Sequence, residues 1–229
     1  MRFGLRKLTL LDYPGQVACT VFTCGCNFRC PFCHNPVLVT GSMADLEYSF
    51  ADILEFLEKR GKQLDAVCIT GGEPLMHEES VLLAQAAKAM GYRVKLDTNG
   101  SFPQQLEELI GSKAVDFVAM DIKNSPEKYA QTSGAGLLEK VKESVKLLLA
   151  GGVKYEFRTT VTGNLHETGD FEAIGSWLAG AERYFLQPFA DSGEILGGNA
   201  AQFAVSDELL AEFCRTVRKF IPAAEIRGR

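Results

Sequence analysis

The sequence predicts an α/β fold, a partial (β/α)6 barrel of parallel strands, on three observations. Short runs rich in β-branched and aromatic residues alternate with longer amphipathic runs of helical period. Six strand-like runs are each followed by a helix-like one, the order that gives parallel pairing through right-handed crossovers. The strands end in polar or glycine-rich motifs, which parallel α/β barrels gather on their active-site face.

The first strand covers residues 17–23 and feeds a cysteine-bearing loop. A polar connector, 40–47, leads to a helix at 49–60 carrying apolar Ile53, Leu54, Phe56 and Leu57. Strand 66–70, helix 78–90, strand 92–96 and helix 104–110 follow. The remaining strands are 115–120, 155–161 and 184–187. Helices near 136–150 and 170–178 separate them, and a last helix lies near 207–220. No repeat or linker divides the chain, so residues 1–229 are expected to form one domain. The Gly/Ala-rich stretch 191–201 is the one long irregular connection, either a functional lid or a plain surface excursion.

Composition narrows the function. A net charge of −5 offers no electrostatic footprint for nucleic acid, and no apolar run approaches the length of a membrane span. Seven cysteines without an export signal argue for reduced thiols and a metal site, not a disulfide framework, in a cytoplasmic protein.

Cys26, Cys30 and Cys33 are spaced C-x3-C-x2-C, close enough to converge from one loop on a single metal centre. An iron–sulfur cube normally takes four cysteines, so a cube held by three keeps one iron open for substrate. A zinc-binding interaction domain is the alternative. It needs a fourth ligand, and His34 is the one at hand, because the chain has no second C-x2-C or H-x3-H pair. Cys19, Cys24, Cys68 and Cys214 read as small buried hydrophobes, with Cys24 near enough to the loop to be a decoy.

The strand exits carry the rest. They are Thr70-Gly71-Gly72-Glu73-Pro74, Asp97-Thr98-Asn99-Gly100, Asp121-Ile122-Lys123 and Arg158-Thr159-Thr160. Gly71 and Gly72 let backbone approach a ligand closely, and Glu73 suits an ammonium. Arg158 is either a bidentate carboxylate partner or an ordinary ion pair. Asp97 and Asp121 at neighbouring exits need a cation, Lys123 or a shared proton to relieve their repulsion.

The cysteine motif resembles the signature of the radical S-adenosylmethionine (SAM) superfamily. With Asp12-Tyr13-Pro14-Gly15, His34-Asn35-Pro36, TGGEP, LDTNG and MDIK, the chain from about Leu8 to Phe189 resembles the glycyl-radical-enzyme activating enzymes. Within them it is most similar to the longer form of the anaerobic ribonucleoside-triphosphate reductase activating proteins. The resemblance implies a TIM-like partial barrel of the radical SAM type, without a ferredoxin-like insert. It implies a [4Fe–4S] cluster on Cys26, Cys30 and Cys33, with SAM cleaved reductively and a glycyl radical formed on a partner, most similarly an anaerobic ribonucleotide reductase. A flavodoxin or ferredoxin would supply the electron. Gly71, Gly72 and Glu73 would meet the methionine moiety, Asn99 the ribose, and Lys123 and Arg158 the same site. Members that activate pyruvate formate-lyase seat a monovalent cation beside the SAM carboxylate. The matching positions here are Asp97, Thr98, Asp121 and the Ala119 carbonyl. Asp12 matches a contact to the partner's peptide, and Tyr13, where the family often has glycine, adds an apolar wall or packs locally. The small-molecule alternative is a 7-carboxy-7-deazaguanine synthase, against which His34-Asn35 speaks, since that group tends to carry Asp-Thr there.

Overall fold

The computed structural model describes residues 1–41, 46–191 and 193–228. Residues 42–45 of the expected polar connector and residue 192 of the long loop lie outside the described residues.

Among the described residues nine strands form one sheet. They are β1 (Arg2–Thr9), β2 (Ala18–Thr23), β3 (Tyr48–Ser49), β4 (Ala66–Gly71) and β5 (Arg93–Thr98), then β6 (Phe117–Asp121), β7 (Lys154–Val161), β8 (Tyr184–Pro188) and β9 (Ala224–Ile226), in the order β3-β1-β2-β4-β5-β6-β7-β8-β9. All six expected strands are present, as β2 and β4 to β8, and each pairs in parallel with the next. The sheet departs from an all-parallel barrel at one edge, where β1 runs antiparallel to both β2 and β3. At the other edge β9 adds a further parallel strand. Sequence pattern does not mark these three. β1 buries only Phe3 and Thr9, and its basic residues guard a strand that β3 covers only at Arg2 and Phe3. β3 and β9 are two and three residues long.

The helices are α1 (Pro36–Thr40), α2 (Phe50–Arg60), α3 (Glu78–Ala89), α4 (Pro103–Gly111), α5 (Tyr129–Ser133), α6 (Leu138–Leu149), α7 (Thr168–Trp177) and α8 (Asp207–Arg218). α2 starts where Ser49 accepts from the Asp52 amide at 3.2 Å and Asp52 accepts from the Ser49 amide at 2.7 Å, a capping box contributing about 1 kcal/mol. α1 and α5, each five residues, are too short to leave a periodic signature.

Alternation along the strands gives the sheet two unlike faces. On β4, Val67 and Ile69 belong to the main apolar core, while Cys68 and Thr70 face Lys95 and Asp97 of β5. The amino end of this polar, concave face is plugged by Tyr13, Ala18, Ala66, Phe117 and Ala119, with the Tyr13 and Phe117 rings 5.9 Å apart. Ala18, Ala66 and Phe117 each open their strand. Tyr13 therefore packs locally, the second of its two expected roles. The plug leaves the carboxyl ends of the strands as the open end of the site.

Candidate active site at the carboxyl ends of the strands

Cys26, Cys30 and Cys33 leave β2 on a loop that borrows its supports from elsewhere in the chain. The Arg29 amide donates to Ser133 O at 2.7 Å, and the Gly25 amide to Leu38 O at 2.7 Å. Residues 193–201 dock on the same loop, through Leu196 N to Cys33 O at 3.1 Å and Gly197 N to Pro31 O at 2.7 Å. They are a buttress of the cysteine loop. Phe28 and Phe32, 2% and 4% exposed, line the apolar side.

The three thiols line one cleft enclosing about 740 Å³, its open mouth included. Burial pushes the Cys30 thiol up to about 11 and raises Cys26 as well, so the thiolates need a positive charge to balance them there. Among the described residues no three His, Cys, Asp or Glu side chains stand already grouped about a single ion. Cys24 lies outside the cleft, its thiol 3.1 Å from Gly41 O.

The glycines of TGGEP act first on the chain itself. A Cβ on Gly72 would fall 1.9 Å from Gly25 O, and one on Gly71, whose φ is +125°, would fall 2.3 Å from Thr23 O. Their bareness lets the end of β4 press against the cysteine loop, where Gly72 N donates to Thr23 O at 3.0 Å and Glu73 N to Gly25 O at 2.8 Å. Both glycines still line the cleft.

Glu73 does not line it. Its carboxylate is fully buried and accepts from Leu75 N at 3.0 Å, Thr98 Oγ1 at 2.8 Å and Asn99 N at 2.6 Å. The side chain ties the β4 exit to the β5 exit and turns away from the ammonium expected for it. Asn99 is held further by Asn27 at 2.9 Å, which itself donates to Ser101 at 2.9 Å. Sequence reasoning missed Asn27 and Ser101, because neither carries a motif of its own.

Asp97, Asp121, Lys123 and Arg158 meet at one end of the cleft. Arg158 donates to Asp121 Oδ1 through Nε at 3.0 Å and approaches it through Nη2 at 2.9 Å, while its Nη1 reaches Asp97 Oδ2 at 3.3 Å. Lys123 reaches Asp121 Oδ2 at 3.0 Å. Burial works to raise the Asp121 carboxyl, but Lys123 and Arg158 outweigh it and hold it well below the usual range. A fifth member was missed: Lys95, 3% exposed at its side chain, pairs with Asp97 Oδ1. Its place two residues before Asp97 on one strand was the available signal. Three cations against two carboxylates leave the group at +1 (3 − 2).

Asp12 stands apart from the cleft. It accepts from Thr20 Oγ1 at 2.5 Å and pairs with Arg6 at 3.5 Å, placing it over β2, where Thr20 is in register with Arg6 of β1 on one side and Cys68 of β4 on the other.

A family model described as the Radical SAM superfamily matches residues 20–178. The chain belongs to the radical SAM superfamily. Membership brings a [4Fe–4S] cluster and SAM as cofactors, and the partial barrel is the superfamily's fold. A relative in Methanocaldococcus jannaschii, named for glycyl-radical enzyme activation, is 34% identical over 194 residues, 81% of this chain and 78% of its own. This places the chain among the glycyl-radical-enzyme activating members of the radical SAM superfamily. A 7-carboxy-7-deazaguanine synthase of Halobacterium salinarum is also 34% identical, over only 93 residues, 38% of this chain and 33% of its own. Streptococcus suis SuiB bound to S-adenosylmethionine superposes with a TM-score of 0.69 at 14% identity, over 90% of this chain and 49% of that one. SuiB shares the fold. No helix among the described residues is long and apolar enough to cross a membrane.

Proposed function

We propose that Cys26, Cys30 and Cys33 hold the [4Fe–4S] cluster and that the chain generates a glycyl radical on a partner enzyme, an anaerobic ribonucleoside-triphosphate reductase. One observation carries the reading: a single cleft is lined by three buried or half-buried thiols and by the charged group of Asp97, Asp121, Lys123 and Arg158. The donor chemistry fits a cluster with one open iron, and the Arg158 guanidinium with the Lys123 ammonium fits the carboxylate of an amino-acid moiety.

Bound together, cluster and SAM supply a one-electron reductive carbon–sulfur cleavage and, through it, removal of a hydrogen atom from the partner's glycine. The chain's residues hold and shield that chemistry. Arg158 and Lys123 orient the SAM carboxylate, Gly71 and Gly72 border the methionine moiety, and Asn99 approaches the ribose. Glu73 acts at one remove, by fixing the turn that carries Thr98 and Asn99. Phe28 and Phe32 exclude water beside the cysteines. A flavodoxin or ferredoxin is the proposed electron donor, and reduced thiols suit a cytoplasmic setting. One cluster is proposed, in one domain, because Cys19, Cys24, Cys68 and Cys214 are buried outside the cleft. Asp12, held beside Thr20 of β2, is the proposed contact for the partner's peptide.

Reduced protein with SAM and the partner encoded beside this gene should give a glycyl-radical doublet in electron paramagnetic resonance. Asp12→Asn should lower its yield while iron content stays intact. No radical on that partner, together with turnover of a pterin substrate, would transfer the site to the deazaguanine synthase reading.

A further inference from the structure

The side chains that match a monovalent-cation site in pyruvate formate-lyase activating members are all committed to other partners here. Asp97 gives Oδ1 to Lys95 and Oδ2 to Arg158, with Thr70 Oγ1 at 3.4 Å from the latter oxygen. Asp121 gives Oδ1 to Arg158 and Oδ2 to Lys123. Thr98 turns its hydroxyl to Glu73 at 2.8 Å and accepts from Gly100 N at 3.1 Å. Ala119 is fully buried in β6, in register with Asp97. A metal cation placed among these groups would meet three fixed positive charges and no carboxylate oxygen left unmatched.

Lys95 is what completes the set. It lies on the concave face of β5, with its ammonium between Asp97 and the Cys68 sulfur, 3.9 Å away. Without it, Oδ1 of Asp97 would be a buried anionic oxygen facing the site, and a mobile cation would be the natural partner. We propose that Lys95 is a built-in counter-cation and that this site binds SAM with no monovalent metal ion. The inference rests on the proposal that the Arg158 end of the cleft receives the SAM carboxylate. It adds that the charge balance there is covalently fixed, so Lys95 is a positioning residue acting through Asp97.

The test is SAM affinity of the anaerobically reconstituted, cluster-loaded chain, measured by calorimetry in potassium, sodium or tetramethylammonium chloride at matched ionic strength. Wild-type Kd should agree across the three salts within about twofold. Lys95→Met should weaken binding at least about tenfold in tetramethylammonium and recover in potassium, whereas Lys95→Arg should keep the wild-type indifference. Should Lys95→Met fail to fold, the wild-type series decides alone. Wild-type binding that requires potassium or sodium overturns the inference and leaves the SAM site standing. Absence of SAM binding in every salt overturns both.

Discussion

Gly72→Ala is a one-carbon change whose cost follows from the structure. The added Cβ would sit 1.9 Å from Gly25 O, 2.6 Å from Gly25 C and 3.0 Å from Leu38 O. All three atoms are backbone, so no rotamer change relieves the contact. Relief requires the β4 exit to move off the cysteine loop, which breaks the bonds from Gly72 N to Thr23 O and from Glu73 N to Gly25 O. Each lost bond costs about 0.5–1.5 kcal/mol, and each buried group left unpaired about 1–3 kcal/mol. The expected loss is about 3–5 kcal/mol, at the upper end for single substitutions. Gly111→Ala is the control: it ends α4, a Cβ there meets nothing within 4 Å, and it should stabilise by about 0.4–1 kcal/mol. Urea denaturation of anaerobically purified protein reads both changes, and iron content reads the displacement of the cysteine loop. A Gly72→Ala protein as stable as wild type, with full iron, would refute the view that this glycine is spent on chain contact.

Two more predictions follow from the same site. Cys26→Ala, Cys30→Ala and Cys33→Ala should each lose most of the about four irons bound after reconstitution, while Cys24→Ala and Cys214→Ala keep them; full iron in any of the first three contradicts the ligand set. Burial pushes Glu73 up to about 7 from 4.5, so the folded chain binds the extra proton. Its stabilising contribution is complete below about 4.5 and is lost as pH rises through about 7, a change of roughly 3 kcal/mol. Glu73→Gln should remove that slope from denaturation curves taken across the window, and a slope that persists would assign it to another group.

The parallel centre of the sheet was legible because its strands are buried on both faces and bracketed by amphipathic helices. β1 was not, since a strand carrying Arg2, Arg6 and Lys7 shows little of the apolar pattern that marks a strand. The cysteine spacing and the polar strand exits located the site, and the structure brings Asp97, Asp121, Lys123 and Arg158 together in it. Side-chain direction was the harder matter. Nothing in T-G-G-E-P says that Glu73 turns inward to brace Asn99, or that Gly72 is bare for the sake of Gly25 and not for a ligand alone. Those facts depend on how two strand exits and one loop meet, which no local pattern records. Lys95 was within reach of period-two reasoning, but a lysine in an apolar run draws attention only once its partner is seen.

The cysteine loop is assembled from chain that is made at very different times. Its ligands emerge first, yet the carbonyl that receives Arg29 N belongs to Ser133, and the amides that hold Pro31 and Cys33 belong to Gly197 and Leu196. A ribosome moving from amino to carboxyl end has therefore exposed the three thiols long before their scaffold exists. Loading of iron and sulfide onto a formed loop becomes a late event, after most of the polypeptide has been released to fold. Until then the thiols depend on the reducing power and carriers of their surroundings to stay unoxidised and unoccupied by the wrong metal.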